Sequence, residues 1–260
     1  MKREMYVSGS FYPNSEQEIK RYIKHFDNIC DSSDEQIPES KAVIVPHAGY
    51  IYSGYTANFS YKSLKKSGKK KFVVIGPSHR VAFDGVSLCE FDTYSTPLGD
   101  IKTDTQMIEK LKEKFDLNCY NKAHMEHSTE VQFPFLKHYI DDVEIIELVY
   151  GRAEPDFISE IIDFIYSDDE FGVVISTDLS HFYNIKEANI LDSICLKAVE
   201  QLDISKLRDG CEACGILGVE AMIKIAKKLD LQSNILDYRT SADASEDESS
   251  VVGYLSACFT

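Results

Sequence analysis

No window of this 260-residue sequence approaches the roughly 18 consecutive apolar residues of a membrane span. The start, Met1-Lys2-Arg3-Glu4-Met5-Tyr6, lacks the apolar run of a secretion signal. These absences predict a cytoplasmic protein without a membrane partner. Positive charge is scarce as well: 28 Lys and Arg stand against 43 Asp and Glu, a net charge of -15. A phosphate polyanion would meet a repulsive field, so nucleic acid is not an expected partner. The one basic run, Lys62 to Lys71, lacks base-stacking aromatics and reads as a solvated helix end leading into a strand. No linker or internal repeat divides the chain, which predicts a single domain over residues 1–260. No nucleotide cofactor is indicated.

The seven cysteines form an odd set. Cys211 and Cys214 have C-x-x-C spacing but no second such pair, so a zinc ribbon is not indicated. In a reducing compartment most cysteines should be buried thiols, and Cys89, Cys195 and Cys258 sit in suitably apolar surroundings.

What the sequence does contain is alternation of strand-like and helix-like segments. Ser15 and Glu18 form a capping-box pattern, followed by Ile19, Tyr22, Ile23 and Phe26 on one helical face, so a helix should run to about Asp31. A polar loop from Asp31 to Lys41 comes next. Three short apolar runs, Ala42–Val45, Phe72–Ile75 and Val173–Ser176, have the character of strands buried on both faces. Each is followed closely by a polar turn with a histidine: His47, His79 and His181. Ligands of open parallel sheets bind outside the carboxyl ends of the strands, so the three turns predict one shared site. Further expectations are a hairpin region from Val86 to Ile101, helices over Thr105–Phe115 and Pro155–Tyr166, and a strand over Glu144–Val149. Two later helices pass through Ala188–Leu202 and Ile216–Ala226, with returning strands at Ile235–Tyr238 and Val251–Phe259. The acidic stretch from Ser241 to Ser250 reads as a loop.

Imidazole is a common transition-metal ligand, and a tight turn after a strand fixes its direction, which suits His47 and His79 to that task. Either could instead be a hydrogen-bonded structural residue. Cys214 precedes a predicted helix, whose unpaired N–H groups favour a thiolate; the alternative is a small buried apolar residue. Asp178 could orient His181 as an acid or base, or simply cap the next helix. Around Ala123–Gln132 lies the densest polar cluster, in which His124 and Glu126 read as surface residues. Thr129 and Gln132 there form a second capping-box pattern, with Pro134 inside the early helix.

Taken in order, Pro46-His47-Ala48-Gly49-Tyr50, Gly76-Pro77-Ser78-His79, Glu126-His127-Ser128-Thr129-Glu130, Ser176-Thr177-Asp178-Leu179-Ser180-His181 and Cys214-Gly215 resemble the signature series of the Memo family. Microbial members are called AmmeMemoRadiSam system protein B. The resemblance runs from Gly9-Ser10-Phe11-Tyr12-Pro13 to Val251-Val252-Gly253-Tyr254. It implies a single three-layer α/β/α domain with a mostly parallel central sheet, similar to class III extradiol dioxygenases. It further implies His47, His79 and Cys214 as metal ligands, with His181 as acid or base and Asp178 beside it. His127, Glu130, Tyr52 and Phe11 would line or brace the pocket. Iron(II) or copper(I) is the implied cofactor, with zinc as an alternative. A thiolate in the carboxylate's place favours softer metals and argues against aromatic ring cleavage.

The implied activity is metal-dependent redox chemistry on a small molecule or peptide. Alternatives are a non-catalytic metal or ligand carrier partnering a radical-SAM protein, as gene grouping of microbial members suggests, and a cysteine hydrolase using Cys214, His181 and Asp178. Animal members carry a histidine soon after the Cys-Gly pair. Here Ile216 and Leu217 occupy that stretch, so functions that depend on that imidazole are not implied.

Overall fold

The computed structural model describes residues 1–29 and 36–260. In chain order the elements begin with β1 (Lys2–Arg3), α1 (Glu16–Asn28), β2 (Ala42–Val45), α2 (Tyr50–Lys66) and β3 (Lys71–Pro77). Next come β4 (Val86–Ser87), β5 (Thr93–Tyr94), β6 (Ile101–Thr103), α3 (Thr105–Lys114), α4 (His127–Glu130) and α5 (Gln132–Tyr139). The second half comprises β7 (Glu144–Tyr150), α6 (Pro155–Tyr166), β8 (Phe171–Ser176), β9 (His181–Tyr183), α7 (Ile185–Glu200) and α8 (Ile204–Arg208). It closes with α9 (Ile216–Lys228), β10 (Ser233–Thr240), α10 (Ala242–Ser245) and β11 (Val251–Phe259).

The strands make one mixed sheet in the order β1-β5-β6-β7-β3-β8-β2-β11-β10, with β4 beside β7 and β9 beside β11. Its centre, β6-β7-β3-β8-β2, is parallel, and β11 and β10 add antiparallel pairs at one side. Alternate residues of the central strands feed opposite faces, as the pleat requires. Ile44, Val73, Ile75, Val173 and Ile175 join a core that includes residues of α3, α6, α7 and α9. Val43, Val45, Phe72, Val74 and Val174 join another that includes residues of α1, α2 and α5. The result is the expected α/β/α layering.

Sequence and structure agree closely at α1, where the Ser15 side chain accepts from the Glu18 N–H and Ile19, Ile23 and Phe26 are buried. The helix stops at Asn28. Asp31, its expected end, and residues 31–35 of the expected polar loop lie outside the described residues. The expected hairpin over Val86–Ile101 is narrower than predicted. Only β5 and β6 form it, whereas Val86 and Ser87 pair with Tyr150 and Val149 of β7. In the acidic stretch, residues 242–245 form the short helix α10. The basic run ends in ion pairs, Lys62 with Asp27 at 2.8 Å and Lys71 with Glu170 at 2.7 Å among them.

The expectation of free thiols fails at four positions. Cys89 is bonded to Cys119 and Cys195 to Cys211, with Cα separations of 4.7 and 4.8 Å. Cys89 and Cys195, whose apolar surroundings were read as the mark of buried thiols, are buried disulfide partners instead. Cys214 and Cys258 keep free thiols. Among the described residues no helix is long and apolar enough to cross a membrane.

Candidate metal centre

The three central strands β2, β8 and β3 end at Val45, Ser176 and Pro77. Two residues beyond each end stand His47, Asp178 and His79, so parallel register delivers all three side chains to one crevice. The helix after β2 packs on one sheet face and α6, which precedes β8, on the other. His181, expected as the third strand-end histidine, lies farther along on β9, hydrogen-bonded to β11.

His47 is almost fully buried, 1% exposed. Its backbone N–H donates to Asp178 Oδ1 at 2.7 Å. Its Nδ1 lies 2.9 Å from Ser176 Oγ. The single Ser176 hydroxyl proton is directed at the Ser128 carbonyl, so Ser176 accepts from His47 Nδ1–H. That leaves His47 Nε2 with its lone pair, 3.2 Å from Cys214 Sγ. Burial, and then the nearby imidazoles of His79 and His127, hold His47 well below the ordinary histidine range, so the ring is neutral and able to ligate.

His79 and His127 complete a triangle of rings. Centroid separations are 5.1 Å for His47–His79, 5.3 Å for His47–His127 and 4.6 Å for His79–His127. One ring nitrogen from each of the three lies within 4.8 Å of the others. Glu126 sits behind two of them. Its Oε2 accepts from the His79 backbone N–H at 2.7 Å, and its Oε1 lies 3.2 Å from His79 Nδ1. The same Oε1 is 2.6 Å from His127 Nδ1, off the axis of a well-aligned hydrogen bond. Burial alone would lift the Glu126 carboxyl, but the adjacent His127 and His79 groups outweigh it and hold it well below the usual carboxylate range.

Cys214 stands just before α9, outside the mutual histidine set but against His47. The Asp178 N–H points to its sulfur at 3.2 Å. Burial first, and then the Asp178 charge, push the thiol up to about 12, outweighing the helix N-terminus that was expected to favour a thiolate. Asp178 is itself raised by burial. Its carboxylate supports the His47 backbone; the structure gives no hydrogen bond from it to His181. The Ser180–His181 turn is anchored elsewhere, the Ser180 N–H donating to buried Asp192 at 2.9 Å. Gly253 permits that packing, since a Cβ there would lie 2.0 Å from Asp192 Oδ2. Beyond His181 a β-bulge leaves Phe182 in the left-handed region, φ 66°, with an exposed side chain.

The remaining expected pocket residues divide. The Phe11 ring lies 4.6 Å from that of His127 and walls the site. Tyr52 lines a surface cavity with Tyr22, Tyr55 and Arg239. Glu130 faces away from the crevice and braces it. It is fully buried, pairs with Arg3, and accepts from the backbone of Tyr6 and Val7 and from the Tyr12 hydroxyl.

The surface reading of His124 and Glu126 is corrected: both are 1% exposed. Thr129 does not cap α5, whose N-cap residue Val131 makes no side-chain bond, and the short helix α4 before it is capped by Glu126. The Thr129 hydroxyl instead donates to Glu147. His124 lies between Ser87 Oγ at 2.9 Å and Glu147 Oε2 at 2.8 Å. This Ser–His–Glu series has the spacing of a hydrolytic triad, yet all three side chains are buried and no substrate could reach Ser87. Arg3 and Glu147, part of the same interior network, had no sequence signal beyond their charge.

The family model described as "Memo-like protein" matches residues 3–258. A MEMO1 family protein of Thermoplasma acidophilum is 34% identical over 273 residues, covering 98% of each chain. One from Aquifex aeolicus is 33% identical over 268 residues, covering 99% of this chain and 98% of its own. One from Methanobrevibacter smithii is 34% identical over 283 residues and covers both chains completely.

Proposed function

Because this chain belongs to the Memo family, we propose that its crevice is a transition-metal centre supporting redox chemistry on a small substrate. The observation that carries the reading is the convergence of ring nitrogens from His47, His79 and His127 within 4.8 Å of one another. Cys214 Sγ, 3.2 Å from His47 Nε2, supplies a further donor of the kind anticipated from the sequence. Nitrogen donors with a soft sulfur suit copper(I), zinc or iron(II) better than hard, oxygen-seeking cations. A bound redox metal would supply Lewis acidity and an electron-transfer centre.

The chain's own residues would then do four things. His47, His79 and His127 would hold the ion, and Cys214 would give up its proton on ligating it. Asp178 would fix the His47 backbone. Phe11 would exclude water from the His127 side. His181, on the bulged strand β9, would move protons to or from substrate. The hydrolase alternative has less support, because the Cys214 thiol is held protonated and faces His47 rather than His181.

The deciding experiment is metal analysis of protein prepared without chelator or added metal, followed by anaerobic titration with iron(II), copper(I) and zinc. Stoichiometric binding by the wild type and its loss in His47→Ala, His79→Ala and His127→Ala are expected. A wild type that binds none of these metals tightly would end the metal-centre reading.

A further inference from the structure

Glu126 is the residue whose arrangement is least explained by folding alone. It is 1% exposed, and among the described residues no Lys or Arg forms an ion pair with its carboxylate. Burying a carboxylate without a cation is strongly unfavourable unless other groups replace the lost hydration. What surrounds this one is a set of N–H groups: the backbones of His79, His127 and Ser128, and the two imidazole Nδ1 atoms. Helix capping accounts for the bonds to His127 and Ser128. It does not account for the bonds from the His79 backbone, 47 residues away, and from His79 Nδ1, or for the approach of His127 Nδ1 to 2.6 Å of the same oxygen.

We propose that Glu126 is a shared positioning residue that sets His79 and His127 together as Nδ1–H tautomers, so that both present Nε2 to a common cation. The inference rests on the metal-centre reading and deepens it. An ionised carboxylate can only accept, so a ring nitrogen beside it must carry the proton. The other nitrogen then keeps its lone pair and becomes more basic. Ser176 does the same for His47. Glu126 thus controls two of the three imidazoles through one oxygen, and its negative charge offsets part of the charge of the ion they hold. Arg3 holds the assembly from behind, its guanidinium donating to the Glu126 carbonyl at 3.2 Å.

Nitrogen-15 NMR of the histidine rings in metal-free protein tests this without any substrate. The wild type should show His79 and His127 as Nδ1–H tautomers. In Glu126→Gln, which preserves shape, at least one should shift toward Nε2–H while His47, set by Ser176, does not. Zinc affinity, measured by competition with a chromophoric chelator, should fall roughly 10- to 100-fold in the same variant. Nε2–H tautomers at both rings in the wild type would overturn the proposal, and that spectrum is informative even if Glu126→Gln does not fold. Unchanged tautomers and unchanged zinc affinity in a folded Glu126→Gln would overturn it too. Should the wild type bind no metal while the tautomers still track Glu126, the metal reading falls and the positioning role stands.

Discussion

Cys214 Sγ lies 3.2 Å from His47 Nε2, a thiol facing the one ring nitrogen of that histidine left without a proton. With the thiol pushed up to about 12, the metal-free pair is S–H against a neutral imidazole. Metal-free protein should therefore react with iodoacetamide at pH 7.5 at least roughly tenfold more slowly at Cys214 than an ordinary cysteine does. Peptide mass spectrometry over a time course reads this directly. Metal binding should release a proton, seen as a buffer-dependent calorimetric enthalpy, and Cys214→Ser should lose that release. Rapid alkylation at neutral pH would contradict the assignment.

The buried His47 ring gives a pH dependence with a definite sign. Unfolded, it takes up a proton near 6.5; folded, it resists protonation to a much lower pH. Its contribution is complete above about pH 6.5 and is lost as pH falls, because the unfolded chain then binds the extra proton. Urea midpoints of metal-free protein should drop between pH 7.5 and 5.5, and the drop should be smaller in His47→Gln. An equal drop in both would show that another group is responsible.

Arg3 pairs with Glu130 and Glu147 in an interior from which water is excluded. Replacing it by Met would leave two carboxylates without their cation. The expected loss is about 3–5 kcal/mol, against less than about 0.5 kcal/mol for Arg21→Met on the exposed face of α1. Chemical denaturation compares them. A loss at Arg3 no larger than at Arg21 would mean that the network contributes nothing to stability.

The disulfide Cys89–Cys119 joins segments that also meet through the Leu88 N–H to Asn118 carbonyl bond at 3.0 Å. Removing it by Cys89→Ala with Cys119→Ala should cost about 2–4 kcal/mol. A non-reducing peptide map should recover this bridge and Cys195–Cys211, with Cys214 unpaired. Recovery of a Cys211–Cys214 bridge instead would refute the pairing.

The central strands were legible because Ala42–Val45 and Phe171–Ser176 are buried on both faces, which writes an unbroken apolar run into the sequence. His47 and His79 were legible from their places after such runs. Helix α2 had no comparable signal. Nearly all of it from Tyr50 to Leu64 is buried, so it lacks the polar face that makes a helical period visible. Glu126, Glu147, His124 and Arg3 were misread or missed for another reason. A charged residue reads as surface unless its partner is known, and the partners here lie far away, Arg3 against Glu130 and Ser87 against His124. Cysteine pairing was hidden likewise, since proximity in space leaves no mark on local sequence.

The strand order carries a consequence for how the protein is made. β2 finds its neighbours in β8 and β11, with Val45 opposite Ser176 and Ala42 opposite Phe259. A nascent chain emerging from the ribosome holds His47 and His79 long before either neighbour exists, and Cys214 comes after β8. Such distant pairings make for slow folding. The crevice takes shape only once β8 has joined β2 and β3, so on the metal-centre proposal an ion would load after that point rather than onto the first strands alone.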